Sequence, residues 1–190
     1  MTTKILLTGR PGCGKTTLIK RVVDNLALPA GGFYTEEMRD SESVREQSRG
    51  QRVGFRLITL DGKEAVFAHV NFKTSERIGK YGLELTKLET VGVAAVREAV
   101  RERRLVVIDE IGPMEIRSAL FRDAVNEVLD SRVPILATIY ARSLPFTDAI
   151  KKRTDVSLVE VRPDSRKRLV SKLSDQFNDE CRKSDGKIDL

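Results

Sequence analysis

The chain has 190 residues, of which 33% are charged and 40% are hydrophobic. This length suits a single α/β domain, which we place at residues 1–181, and we expect a disordered tail at residues 182–190. No apolar run approaches the roughly 18 residues that a membrane span requires, so we expect a soluble protein with no membrane partner. Two distant cysteines, Cys13 and Cys181, predict neither a disulfide nor a metal site.

The formal net charge of +6 does not come from one basic segment. Residues 163–190 carry seven basic and six acidic side chains, which gives a net charge of only +1. Interleaved charges of this kind are typical of solvated helix surface, so a nucleic acid is a less favoured partner than a small anionic ligand. The chain enters its first predicted strand almost at once, which predicts a cytoplasmic protein, and we expect a monomer.

A glycine-rich motif follows the apolar run at residues 5–7 and leads into a segment with helical apolar spacing. The order strand, loop, helix is the context in which G-x-x-x-x-G-K-[ST] binds phosphates. Glycines allow successive backbone N–H groups to point inward, and the positive end of the helix adds to this anion site. The predicted nucleotide-binding residues are Gly9, Arg10, Pro11, Gly12, Cys13, Gly14, Lys15, Thr16 and Thr17.

Within this motif the side chains have distinct expected roles. Lys15 should reach the β- and γ-phosphates of a nucleoside triphosphate and is a predicted catalytic residue. The Thr16 hydroxyl should ligate a Mg²⁺ ion that bridges the same phosphates, and Thr17 should face the α-phosphate.

The next part of the chain predicts an antiparallel addition to a parallel sheet. Residues 31–37 form a predicted strand, and the polar residues 40–49 form a predicted exposed loop. Residues 53–60 and 64–68 flank Asp61-Gly62-Lys63, a turn signal for a tight hairpin. The sequence therefore predicts a mixed sheet in an α/β protein.

A second informative site follows an amphipathic segment at residues 86–104, which predicts a helix with Thr86 as its N-cap. The apolar run at residues 105–108 predicts a strand buried on both faces, and Asp109 and Glu110 end it. Carboxylates at this position lie where open α/β sheets bind ligands. We predict that both residues contribute to the nucleotide site, with Asp109 orienting Mg²⁺ and Glu110 acting as the base towards the attacking water.

The remaining elements alternate between helix and strand. Ser118 is the predicted cap of one helix, residues 134–139 form the next strand, and Thr138 near its end either binds a phosphate oxygen or water, or packs. Arg142 follows the same strand end and is the predicted charge-stabilising catalytic arginine, whereas the alternation places Arg153 at the opposite sheet edge. A helix at residues 145–152, a strand at 156–159 and a last helix opened by Pro163 complete the chain.

Several of these stretches together resemble one family. They are residues 8–17, the sequence Gly-Gly-Phe-Tyr-Thr-Glu-Glu at 31–37, residues 79–81 and Val-Ile-Asp-Glu-Ile-Gly-Pro-Met-Glu at 107–115. This set of stretches resembles the small nucleoside-triphosphatases first known from thermophiles. The resemblance implies a RecA-like P-loop fold in which helices cover both faces of the sheet, a three-layer αβα arrangement. It also implies Mg²⁺-dependent hydrolysis of ATP, GTP, CTP and UTP with little base selectivity.

Two other classes of function remain open at the level of the sequence. In a phosphotransferase, such as a nucleotide or RNA-end kinase, an acceptor hydroxyl would replace water. In a nucleotide-dependent switch, a partner that binds the triphosphate state would matter more than turnover. Glu110 beside Asp109 favours hydrolysis.

Overall fold

A computed structural model describes residues 2–40 and 50–185, with backbone only for residues 181–185. Its elements alternate along the chain much as the apolar patterns predict. They are β1 (Lys4–Thr8), α1 (Lys15–Asp24), β2 (Ala30–Arg39), β3 (Arg52–Thr59), β4 (Glu64–His69), β5 (Arg77–Ile78), β6 (Tyr81–Leu83), α2 (Leu85–Lys87), a π-helical segment (Leu88–Val93), α3 (Ala94–Arg101), β7 (Leu105–Ile111), a 3₁₀ turn (Glu115–Arg117), α4 (Ala119–Asp130), β8 (Ile135–Ile139), α5 (Pro145–Lys151), β9 (Ser157–Glu160) and α6 (Arg166–Asp185).

In the described part of the chain, nine strands form one sheet in the order β5-β6-β4-β3-β2-β7-β8-β1-β9. The five strands from β2 to β9 in this order are parallel to one another. Parallel strands need crossover connections that cover both faces of the sheet, and the burial of three successive residues on β1 reflects this. Ile5 and Leu7 pack with apolar residues of α1 and α6, whereas Leu6 packs on the face covered by α3 and α4. The predicted three-layer α/β fold is confirmed.

The antiparallel part of the sheet is larger than the predicted hairpin. The turn at Asp61 and Gly62 joins β3 to β4 as the sequence predicts, and β3 pairs antiparallel with β2. The strands β5 and β6 then extend this part by a second, shorter hairpin. Strands of two and three residues carry too few alternating positions to be predicted from their pattern.

Helix boundaries differ from the predictions in two places. The helical segment that precedes β7 begins after Glu84, so Thr86 lies inside its first turn and the predicted Thr86 cap is wrong. The last helix begins at Arg166, because Ser165 and Arg162 close a turn before it through hydrogen bonds between the Ser165 hydroxyl and the Arg162 backbone. Ser118 does cap α4, since its hydroxyl oxygen accepts a 3.0 Å hydrogen bond from the Phe121 N–H.

Two predicted segments fall partly outside the described residues. Residues 41–49 of the expected exposed loop and residues 186–190 of the expected tail lie outside the described residues. Residues 182–185, the first part of the expected tail, continue α6. Within residues 2–40 and 50–185, no helix combines the length and the apolar character that crossing a bilayer requires.

Candidate active site

The loop between β1 and α1 is shaped for a ligand that binds backbone N–H groups. Gly14, the residue before α1, has a φ of +91°, in the left-handed region that favours glycine. As the residue at the N-cap position, Gly14 has no side chain with which to cap the first turn of α1. Its N–H groups, which have no partner within the helix, therefore face the loop, where an anion can bind them.

Lys15 lies folded over this loop. Its ammonium donates to the backbone carbonyl of Gly9 at 3.1 Å and to that of Arg10 at 3.4 Å. These contacts hold the positive charge above the space that the loop encloses. Burial raises the pKa of both Asp109 and Glu110, and the Lys15 charge opposes this rise at both residues, so the loop and the end of β7 face each other.

Asp109 is almost completely buried on β7, with 2% of its surface exposed. The Thr138 hydroxyl on the neighbouring strand β8 donates to its Oδ1 at 3.0 Å. Burial raises the pKa of Asp109, while the nearby Thr16 and Thr138 hydroxyls, the Thr35 backbone and the charge of Lys15 act in the opposite direction. The sequence suggested that Thr138 either binds a phosphate oxygen or water, or packs. In the structure its hydroxyl binds the Asp109 carboxylate.

The geometry around Asp109 fits a Mg²⁺ ion. Among the residues that the structure describes, the other carboxylate oxygen, Oδ2, is buried and has no hydrogen-bond partner. An unpaired buried carboxylate oxygen is costly unless a cation or a donor reaches it. The part of the chain described here holds no group of three or more His, Cys, Asp or Glu side chains suited to a metal. Thr16, Asp109, phosphate oxygens and water are the hard oxygen ligands that Mg²⁺ takes.

Glu110 follows Asp109 but points elsewhere, because successive side chains of a strand alternate between faces. Its carboxyl group folds back over Gly112, where an added Cβ atom would lie 2.8 Å from Oε1. A side chain at residue 112 would therefore displace the Glu110 carboxyl group from this position. Burial and the charge of Asp109 raise the pKa of Glu110, and Lys15 lowers it.

A third carboxyl group, that of Glu115, lies beside these two. It has 5% of its surface exposed and belongs to the 3₁₀ turn that follows β7. Burial raises its pKa well above the ordinary value, and the charge of Glu110 raises it further. From the sequence, Glu115 is only one of three alternatives to Glu110 as the base, together with Glu36 and Glu37.

The other glutamates close to the sheet edge are engaged in ion pairs. Glu36 pairs with Lys20 at 2.7 Å and with Arg56 at 3.0 Å, which lowers its pKa. Glu37 pairs with Arg39 at 2.6 Å. Among the described residues Glu110 and Glu115 form no such ion pair, so of these four glutamates they are the candidates for proton transfer.

The two candidate arginines lie at opposite edges of the sheet. Arg142 is exposed in the segment after β8, and its backbone carbonyl accepts a 3.1 Å hydrogen bond from Lys151. Arg153 instead pairs with Asp130 at 2.8 Å and Asp155 at 2.9 Å, near the start of β1. The structure therefore brings Lys15, Asp109 and Glu110 together, places Arg142 on their side of the sheet and keeps Arg153 away.

A parallel sheet with a phosphate-binding loop after β1 and paired carboxylates at the end of β7 defines a P-loop nucleotide-binding protein of the α/β class. The comparison with known families narrows the class. A family model described as NTPase matches residues 4–174. The chain belongs to this NTPase family, which is a family of hydrolases.

Known proteins resemble the chain over most of its length. A nucleoside-triphosphatase THEP1 from Thermotoga sp. (strain RQ2) is 45% identical over 170 residues, covering 90% of this chain and 92% of that protein. The crystal structure of THEP1 from Aquifex aeolicus superposes with a TM-score of 0.78 at 35% identity, over 90% of this chain and 96% of that one. The solution structure of a human cancer-related nucleoside triphosphatase gives a TM-score of 0.76 at 32% identity, over 94% and 98%.

Proposed function

We propose that the protein hydrolyses nucleoside 5′-triphosphates to the diphosphate and phosphate, in a reaction that depends on Mg²⁺. The observation that supports this most directly is the meeting of Lys15 with the buried pair Asp109 and Glu110 at the loop after β1. The names of the related proteins support the same activity. One nine-stranded sheet runs through the described part of the chain, which supports residues 1–181 as a single NTPase domain.

Each residue of the site has a proposed task. The backbone N–H groups of the loop at residues 9–14, among which Pro11 has none to donate, and those at the start of α1 bind the β- and γ-phosphates, and Lys15 neutralises their charge. Thr16 and Asp109 hold Mg²⁺, and Thr17 faces the α-phosphate. When bound, the ion neutralises charge that develops on the phosphate oxygens.

Hydrolysis needs a water molecule aligned with the γ-phosphate. Glu110 orients that water and accepts its proton, because its carboxyl group stands beside the ion site without belonging to it. Arg142 stabilises the charge that builds up in the transition state. Since Arg142 is exposed, we propose slow turnover, on the order of 10⁻⁴ to 10⁻² per second as in P-loop enzymes without a firmly placed arginine.

Phosphate release from ATP, GTP, CTP and UTP tests the proposal. We expect all four to be hydrolysed with efficiencies within about tenfold, equivalent to ~1.4 kcal/mol, and we expect chelation of Mg²⁺ to stop the reaction. Lys15→Ala should abolish turnover and weaken triphosphate binding. Near-normal hydrolysis by that variant would show that the loop has only a structural role.

The same assay distinguishes the alternatives. Transfer of the γ-phosphate to an added nucleotide or RNA end, faster than its release to water, would identify a phosphotransferase. Acceleration of hydrolysis by a protein or nucleic-acid partner would identify a switch. A constant slow rate of hydrolysis, measured with nucleoside triphosphates alone, would agree with a hydrolase.

A further inference from the structure

A cleft lies at the end of the sheet opposite the phosphate loop. The strands β2, β7 and β8 run parallel to β1, which leads into that loop, and the cleft is bounded by the segments from which these three strands start. Its volume is about 660 Å³, which is in the range of sites for small ligands. We call it the basal cleft, and its lining comes from residues within 28–29, 100–103, 131–134 and 177–180.

Most of the lining of the basal cleft is apolar. Val133 and Phe177 are buried, with 7% and 1% of their surface exposed. Leu28, Val100 and Pro134 are partly buried around them. Together these side chains offer a surface on which the apolar part of a ligand can be removed from water.

The polar residues of the basal cleft differ in whether the protein already binds them. The Ser131 hydroxyl donates to a backbone carbonyl of α4 at 2.7 Å. The Glu180 carboxylate accepts from the N–H of the residue before β1 at 2.9 and 3.0 Å. Arg103 and Arg132 are exposed, and among the described residues neither guanidinium group has an ion-pair or hydrogen-bond partner. The cleft therefore presents two unpaired cations, while its single carboxylate is engaged.

The neighbours of Arg103 in the sequence show that this lack of a partner is specific. Arg101 pairs with Glu98 at 3.8 Å, and Arg104 pairs with Glu102. The same short segment thus supplies carboxylates to the arginines on both sides of Arg103. Arg103 alone of the three lines the basal cleft.

The backbone of Arg103 is also unusual. Its φ of +55° lies in the left-handed region, and it is the one non-glycine residue with a positive φ in the described part of the chain. Its N–H donates to the Val100 carbonyl at 3.1 Å and the Arg104 N–H donates to the Ala99 carbonyl at 2.9 Å, which ends α3 in a motif that favours glycine at position 103. The chain therefore holds a long cationic side chain at the cleft at a cost in backbone energy.

We propose that the basal cleft binds a small organic anion. Its carboxylate or phosphate group contacts Arg103 and Arg132, and its apolar part covers Val133 and Phe177. Guanidinium groups bind both kinds of head group through paired, charge-assisted hydrogen bonds. Because the phosphate loop lies at the other end of the parallel strands, this ligand occupies a site of its own.

Three small molecules that separate the head group from the apolar part test the proposal. Octanoate has both, acetate has the head group alone, and octanol has the apolar chain alone. Titrations followed by amide NMR shifts measure weak binding and also locate it. We expect octanoate to bind the parent protein at least about tenfold more tightly than acetate or octanol, with shifts at the basal cleft, because only octanoate uses both parts of the lining.

Substitutions at the two arginines provide the second part of the test. Arg103→Gly should weaken octanoate binding at least about tenfold, and it should raise the melting temperature by about 2 to 4 °C because glycine relieves the left-handed backbone. Arg132→Gln should weaken octanoate binding similarly. Arg101→Gln is the matched control, since Arg101 is an exposed arginine of α3 that does not line the cleft. The control should bind octanoate as the parent does, and octanol affinity should stay within about twofold in all variants.

Two results would overturn the proposal. One is an octanoate affinity of the parent no higher than that of octanol, since the arginines would then contribute nothing. The other is equal octanoate binding by the parent, Arg103→Gly and Arg132→Gln, or amide shifts confined to the phosphate loop, since the anion would then bind elsewhere.

Discussion

Thr138 on β8 donates a 3.0 Å hydrogen bond to Oδ1 of Asp109 on the adjacent strand β7. Both side chains are buried, at 0% and 2% exposure. The contact fixes one carboxylate oxygen and leaves the other, which has no partner among the described residues, facing the site proposed for Mg²⁺. We therefore propose that Thr138 positions Asp109, the proposed metal ligand.

Thr138→Val removes the hydroxyl and keeps the shape of the side chain. Because this hydrogen bond lowers the pKa of Asp109, its loss should raise that pKa and shift the acidic limb of the kcat/KM profile to higher pH. We expect kcat/KM to fall by roughly tenfold, equivalent to about 1.4 kcal/mol, and the Mg²⁺ requirement to rise. Thr138→Ser, which retains the donor, should restore both. A valine variant with the parent's Mg²⁺ dependence and pH profile would mean that Thr138 only packs.

Glu110→Gln should separate binding from chemistry. Glutamine keeps the size of the side chain but does not accept the proton of the attacking water. We expect kcat to fall by roughly 10²- to 10⁴-fold, about 3 to 5 kcal/mol, with little change in the affinity for Mg²⁺ and triphosphate. Single-turnover hydrolysis and calorimetry measure the two quantities. Turnover at the parent rate would move the role of base to Glu115, the neighbouring buried carboxyl group.

Asp109→Asn is the matched comparison on the same strand. It removes the charge that we assign to Mg²⁺, so the Mg²⁺ concentration for half-maximal activity should rise and the reaction should slow. A slower reaction with an unchanged Mg²⁺ requirement would contradict the assignment of Asp109 as a metal ligand.

Arg142→Ala tests the proposed charge-stabilising residue. We expect kcat to fall by at least about tenfold with KM nearly unchanged, because the charge acts on the transition state. Arg153→Ala provides the control, since Arg153 pairs with Asp130 and Asp155 at the opposite edge of the sheet. At temperatures well below unfolding, its kcat should match that of the parent. Equal kinetic effects of the two substitutions would rule out a specific role for Arg142.

Glu115→Gln should change how stability depends on pH. Because burial raises the pKa of Glu115 well above 4.5, the native state binds more protons than the unfolded chain between about pH 4.5 and the native pKa. The free energy of unfolding contributed by this group is therefore present below pH 4.5 and is lost as the pH rises through that window. Thermal unfolding of the glutamine variant should show a shallower decline over this range.

Glu127→Gln is the control for this measurement. A hydrogen bond from Arg97 lowers the pKa of Glu127, so its titration has the opposite sign and affects stability at low pH. Its removal should leave the decline above pH 4.5 as it is in the parent. An identical pH dependence for Glu115→Gln and the parent would show that the native carboxyl group titrates normally.

Sequence alone determined the features that depend on neighbouring residues. The spacing of Gly14, Lys15 and Thr16 after an apolar run predicted a phosphate loop between a strand and a helix, and the family comparison agrees with that class. The apolar run at residues 105–108 predicted a buried strand, now β7, with Asp109 and Glu110 near its end. Local hydrogen bonding and side-chain periodicity set these features, so they can be read over short stretches of chain.

The tertiary structure decided the contacts between residues far apart in the chain. Thr138 meets Asp109 because β8 lies beside β7, and Glu115 is buried close to Glu110 in the 3₁₀ turn that follows β7. Arg166 reaches Gly14 because α6 packs against α1. No local pattern marks these residues, since a threonine, a glutamate or an arginine in such a segment is ordinarily surface or packing. Strand order and helix packing, which depend on the burial of the whole core, brought them to one site.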